Sequence, residues 1–185
     1  YSLLVGISAR IEVNMHKPLK IGNLIAKLPI IQGGMGVGIS LSSLAGAVSA
    51  QGGIGVISAA QIGFTEPDFD MNPLKANLKM LGEHIKKARK LAPDGILGVN
   101  IMVATKNYAS YVREAIKNGI DLIISGAGLP MELPSIAKDS PTKLIPIVSS
   151  LKAANVIFKM WDKKDNTTPD ALIIEGPKAG GHLGF

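Results

Sequence analysis

No cysteine occurs anywhere in the chain, which excludes disulfides, thiolate metal sites and cysteine nucleophiles and is compatible with a cytoplasmic location. Histidine is nearly as scarce: three scattered residues give no metal-ligand spacing, so no metal is expected. Aromatics make up only 4%, and no arginine-aromatic cluster interleaves the lysines. The net charge of +6 is spread along helix faces, which argues against a nucleic-acid partner. Charge is missing altogether between Lys27 and Glu66, but glycine and serine break that stretch into short pieces, and no membrane span is expected. The first glycine-rich loop holds no G-x-G-x-x-G in register, the second strand ends without an acid, and there is no Walker A lysine. These gaps weigh against dinucleotide-type and P-loop folds. What remains, 46% hydrophobic and 18% charged residues in 185, suits one soluble globular domain.

Met15 looks like a native start. Residues 1–14 are therefore expected to be a leader or appended segment, and 15–185 the N-terminal portion of the folded domain.

From Lys17 onward, short apolar runs alternate with amphipathic stretches. Strands are expected at 29–31, 53–58, 96–103, 121–125, 143–148 and 170–174. Ser40 or Ser42 is expected to cap a small-residue helix running to Gln51. Asn72-Pro73 opens a longer helix with Leu74, Leu78, Leu81, Ile85, Ala88 and Leu91 on its buried stripe and His84 on the solvated face. A further helix over 108–118 closes at Gly119, and another runs to Trp161. Six strand-helix steps predict an all-parallel sheet, either a (β/α)8-type barrel or a doubly wound open sheet. Asn100, polar inside an apolar strand, is either a structural brace or a ligand contact.

The last strand runs into Glu175-Gly176-Pro177-Lys178-Ala179-Gly180-Gly181-His182. Glycines and an imidazole just past a strand end lie where α/β folds keep their chemistry. His182 can be a titratable group presented to a flat or phosphorylated ligand, although Gly-Gly-His alone also suits an idle surface turn.

Taken in order, Pro29-Ile30-Ile31-Gln32-Gly33-Gly34-Met35-Gly36, Gly98-Val99-Asn100, Ser125-Gly126-Ala127-Gly128-Leu129-Pro130 and Glu175 to His182 resemble the nitronate monooxygenases, formerly 2-nitropropane dioxygenases. FMN-dependent enoyl-acyl-carrier-protein reductases are close relatives of that family. The resemblance implies an α/β fold, a TIM (β/α)8-type barrel binding FMN. It implies flavin contacts for Gln32, Gly33, Gly34, Met35, Asn100, Glu175, Gly180 and Gly181. His182 would be the catalytic base or anion-binding group on the substrate side. Family members commonly carry glutamine where Glu175 stands and an acid where Lys178 stands, which makes Glu175 a less certain contact.

The activity implied is FMN-dependent oxidation of alkyl nitronates by O2 to carbonyl compounds and nitrite. An NADH-dependent enoyl-thioester reductase is the alternative, and a flavin- or phosphate-binding module without turnover is a third reading. A small-molecule substrate is implied, and self-association is left open. Because the pattern breaks off after about six β/α units, the barrel is expected to be truncated.

Overall fold

In the computed structural model the described residues are 17–180. A small antiparallel hairpin comes first, β1 (Leu19–Ile21) and β2 (Leu24–Ala26), turning at Gly22-Asn23 with Gly22 at φ +58°. Alternating strands and helices follow: α1 (Ser42–Ala50), β3 (Ile54–Ser58), α2 (Pro73–Leu91), β4 (Ile96–Met102), α3 (Tyr108–Lys117), β5 (Leu122–Gly126), the short α4 (Leu133–Ile136), β6 (Lys143–Val148), α5 (Leu151–Asp165) and β7 (Ile173–Ile174).

Strands β3 to β7 pair in parallel and in sequential order. Sequential order decides between the two architectures the sequence allowed. With right-handed crossovers and no reversal of strand order, every helix falls on one face and the sheet curls around the other, as in a (β/α)8 barrel. A doubly wound sheet needs a reversal, and the described strands contain none.

The first expected strand survives only as a parallel bridge, Ile31 to Ile54, held by Ile54 N–H to Ile30 O at 2.9 Å and Gln32 N–H to Ile54 O at 3.0 Å. Pro29, which has no N–H to give, precedes this short run.

Side-chain alternation along the strands builds two cores. Ile57, Leu97, Val99, Ile101, Ile123 and Leu144 point outward and pack under the helices with Leu81, Ile85, Val112 and the fully buried Trp161. The indole N–H of Trp161 donates to the Pro130 carbonyl at 3.1 Å, tying α5 to the loop after β5. Ile54, Val56, Leu122, Ile124 and Ile145 point inward, where Ile21 and Ala26 of the hairpin join them. The hairpin therefore packs on the inner face. Arg89 locks α2 to the strand starts, donating to Gly95 O at 2.5 Å and to Asp121 Oδ2 at 2.6 Å; the same carboxylate oxygen accepts from Leu97 N–H.

Three local expectations are corrected. Neither Ser40 nor Ser42 caps α1: its N-cap is Leu41, with no side-chain cap bond, and the Ser40 side chain is engaged elsewhere. His84 is not on the solvated face. It is 9% exposed and crosses to α1, where its Nδ1 lies 3.0 Å from Ser42 Oγ and accepts from Ser42 N–H at 3.4 Å. Leu91, expected on the buried stripe, is also 55% exposed, because it closes the last turn of α2.

Burial, and then the Lys87 charge, hold the His84 pKa below its ordinary value, against an opposing contribution from Glu83. Folding therefore favours the neutral ring. His84 contributes stability in full above its unfolded pKa of about 6.5, and that contribution is lost as pH falls through the lower folded value. Melting temperatures between pH 8 and pH 5 are expected to fall less for His84→Gln than for the parent. Parallel curves would show that His84 does not titrate against folding.

Candidate functional site

The C-terminal ends of the parallel strands form one rim. The loop 32–39 comes from the bridge strand, Ser58 from β3, Asn100 and Met102 from β4, Gly126 from β5, and Glu175 follows β7. Ser58 pairs in register with Asn100, so both share the inward face with Val56 and Gly98. Glu175 is half-buried and shares the inward parity of Ile173; its N–H donates to Val148 O at 2.8 Å.

Gly34 lies directly on Asn100. A Cβ at Gly34 would stand 2.4 Å from Asn100 Cβ and 2.9 Å from its Nδ2, so the loop reaches the strand only because residue 34 has no side chain. By contrast, a Cβ at Gly33 or Gly36 would meet nothing within 4 Å. The Asn100 side chain is half-buried, and its carboxamide has no hydrogen-bond partner among the described residues. Of the two roles open to Asn100, the brace has no bond to support it. The amide N–H groups of Gly33, Gly34 and Gly36 likewise have no acceptor among the described residues.

Gln32 is differently placed. Its Nε2 donates to Val56 O and Ser40 Oγ, both at 3.0 Å, and to Gly33 O at 3.3 Å, while its Oε1 accepts from Val56 N–H at 3.3 Å. This carboxamide is spent on fastening the loop to β3. Met35 is 47% exposed, and its N–H is shared between Ser40 Oγ at 2.9 Å and Gly33 O at 3.0 Å. Ser40 is the residue of this site that the sequence disguised. It looks like a helix cap, and its burial inside a glycine loop has no local signature.

Loop 125–130 continues the rim, with two adjacent residues at positive φ: Ala127 at +52° and Gly128 at +130°. Behind it, the Tyr108 hydroxyl lies 2.7 Å from Ser125 Oγ and ties α3 to the loop. Burial pushes the Tyr108 pKa up to about 12, with the Ser125 hydrogen bond opposing, so the phenol stays neutral and structural.

Gly180 is exposed, with open space around it. Gly181 and His182 lie outside the described residues. The structure thus brings Gln32 to Met35 together with Asn100, and sets Glu175 at the end of the same sheet.

A wide concavity of about 380 Å³ at the opposite, N-terminal end of the strands, lined by Asn23, Asp121, Lys138 and Thr142, competes poorly as a site. Its buried hydroxyl, Thr142, already donates to Ile120 O, and Asp121 is engaged by Arg89. Among the described residues no histidine and carboxylate cluster could hold a metal ion, and no helix is long and apolar enough to cross a membrane.

The family model for nitronate monooxygenase matches residues 17–185. The chain belongs to the nitronate monooxygenase family. Among solved structures, FabK from Thermotoga maritima is similar to this family member at 29% identity and a TM-score of 0.66, over 85% of this chain and 43% of the FabK chain. A FabK point mutant from the same organism gives the same identity and TM-score, with 45% of its chain covered. This nitronate monooxygenase family chain therefore spans less than half the length of either. No curated protein matches it.

The donor set fits the group the family implies. Free backbone N–H groups, a free carboxamide and side-chain-free positions 33, 34 and 36 suit the flat, acceptor-edged ring system of a flavin.

Proposed function

We propose that this chain is the flavin-holding portion of an FMN-dependent oxidoreductase that oxidises alkyl nitronates with O2 to carbonyl compounds and nitrite. Family membership supports the flavin and the oxidoreductase class. The observation that carries the site is Gly34 lying on the unpartnered Asn100, beside three free glycine amides.

In this reading Asn100 and the amides of Gly33, Gly34 and Gly36 hydrogen-bond the ring, and Met35 covers its edge. FMN, when bound, supplies the electron transfer. Glu175 is a constraint on that chemistry, because an acidic side chain at the rim disfavours negative charge accumulating beside it. Gly180 and Gly181 would lie near the ribityl and phosphate groups. His182 would stand on the substrate side, donate to a nitronate oxygen or take an α-proton from a nitroalkane. An imidazole titrates near neutral pH and can do either.

A reductase that reduces enoyl thioesters with NADH would use the same residues, so the two reactions must be separated by chemistry. With FMN-loaded protein, aerobic nitronate consumption with nitrite release is expected, together with little anaerobic bleaching of the flavin by NADH. Rapid NADH bleaching and no nitrite would transfer the assignment to the reductase. His182→Ala is expected to lower nitronate turnover about 100-fold or more. Unchanged turnover would remove His182 from the catalytic role.

A further inference from the structure

We propose that Ser40 is the positioning residue of the flavin site, holding the glycine loop so that its backbone amides meet the ring. This rests on the flavin reading above and goes beyond it, because no motif of the resemblance includes Ser40.

Ser40 is fully buried, and its hydroxyl has one proton to give and two lone pairs to offer. All three are used within the loop: it accepts from Met35 N–H at 2.9 Å and from Gln32 Nε2 at 3.0 Å, and donates to Gly33 O at 3.1 Å. The serine is itself anchored, since its carbonyl accepts from Ser58 N–H at 2.8 Å at the end of β3. One hydroxyl thus fixes both ends of the segment 33–35, whose glycines would otherwise roam widely. The groups left over after Ser40 and Gln32 are satisfied include the N–H groups of Gly33, Gly34 and Gly36. A loop held in its binding geometry before the ligand arrives binds more tightly than one that must be ordered by it.

The test compares Ser40→Ala with Ser49→Ala. Ser49 is another buried serine, within α1, whose hydroxyl donates to Ile96 O at 2.8 Å, away from the rim. It reports what losing a buried serine bond does to the fold alone. Three quantities are measured: FMN dissociation constant by fluorescence quenching, visible circular dichroism of bound FMN, and amide exchange of residues 33–36 without FMN.

Ser40→Ala is expected to weaken FMN binding about tenfold, alter the visible dichroism and speed exchange at Met35. Ser49→Ala is expected to lower the melting temperature while leaving all three as in the parent. Parental FMN affinity in Ser40→Ala, or equal weakening in Ser49→Ala, would overturn the proposal while the flavin reading stands. A parent that binds no FMN would overturn the flavin reading itself, and this proposal with it.

Discussion

Gly55→Ala is expected to destabilise the fold severely. An added Cβ would stand 1.8 Å from the Ala45 carbonyl oxygen, 2.6 Å from its carbon and 2.9 Å from its Cα. These are backbone atoms of α1, so no rotamer change can relieve the clash, and the helix itself would have to retreat from β3. Both ends of α1 resist: Ser42 is bonded to His84 on α2, and Ser49 to the Ile96 carbonyl on β4. Overpacking of an ordinary core costs about 1–3 kcal/mol, and a displaced helix places this substitution at or above the top of that range. Against a typical total of about 5–15 kcal/mol, the loss shows as a large fall in melting temperature or as insoluble protein. Gly36→Ala is the matched control, since its Cβ meets nothing within 4 Å; it is expected to stay within about 0.5 kcal/mol of the parent. A Gly55→Ala protein melting like the parent would mean that α1 does not sit on β3 as described.

Asn100→Ala is expected to affect ligand binding and leave folding almost untouched. A brace and a ligand contact make opposite predictions here. A bracing carboxamide would lose its bonds on truncation and destabilise the fold by about 1–3 kcal/mol. The Asn100 carboxamide has no partner among the described residues, so its removal is expected to leave the melting temperature of the FMN-free protein unchanged or slightly raised. The same 1–3 kcal/mol then appears in the flavin complex, as roughly a 5- to 150-fold weaker dissociation constant. Calorimetric melts and FMN titrations on one preparation separate the cases. A destabilised variant with parental FMN affinity would return Asn100 to the bracing role.

Much of this arrangement is legible from local pattern. Asn72-Pro73 marks the start of α2, where the asparagine accepts from Lys75 N–H, and the stripe through Leu81, Ile85 and Ala88 is buried as its spacing requires. Gly119 closes α3 at φ +73°. The alternation of strand and helix gives the parallel sheet, but its curl follows from strand order, which no local pattern encodes.

The β1–β2 hairpin carries a signal in Gly22-Asn23, a two-residue turn, yet its strands of three residues are too short to show a period. His84 was hidden for another reason. It follows Leu81 by three positions on a helix rich in lysine, so its side of α2 reads as solvated until α1 is laid across it. Ser40 and Gln32 are engaged by partners eight and 24 residues apart, and such bonds leave no trace in spacing. The resemblance implies a flavin contact at Gln32; in the structure its carboxamide bonds β3, Ser40 and Gly33, and the amides of Gly33, Gly34 and Gly36 have no acceptor among the described residues.

The central claim is that the rim around Asn100 holds a flavin, and adding FMN to the purified 185-residue chain tests it most directly. Binding at this rim predicts saturable quenching of flavin fluorescence and a resolved shoulder on the long-wavelength absorption band, both weakened in Asn100→Ala. Fluorescence that rises in proportion to added FMN, with an absorption band identical to that in buffer at protein excess, would contradict the claim.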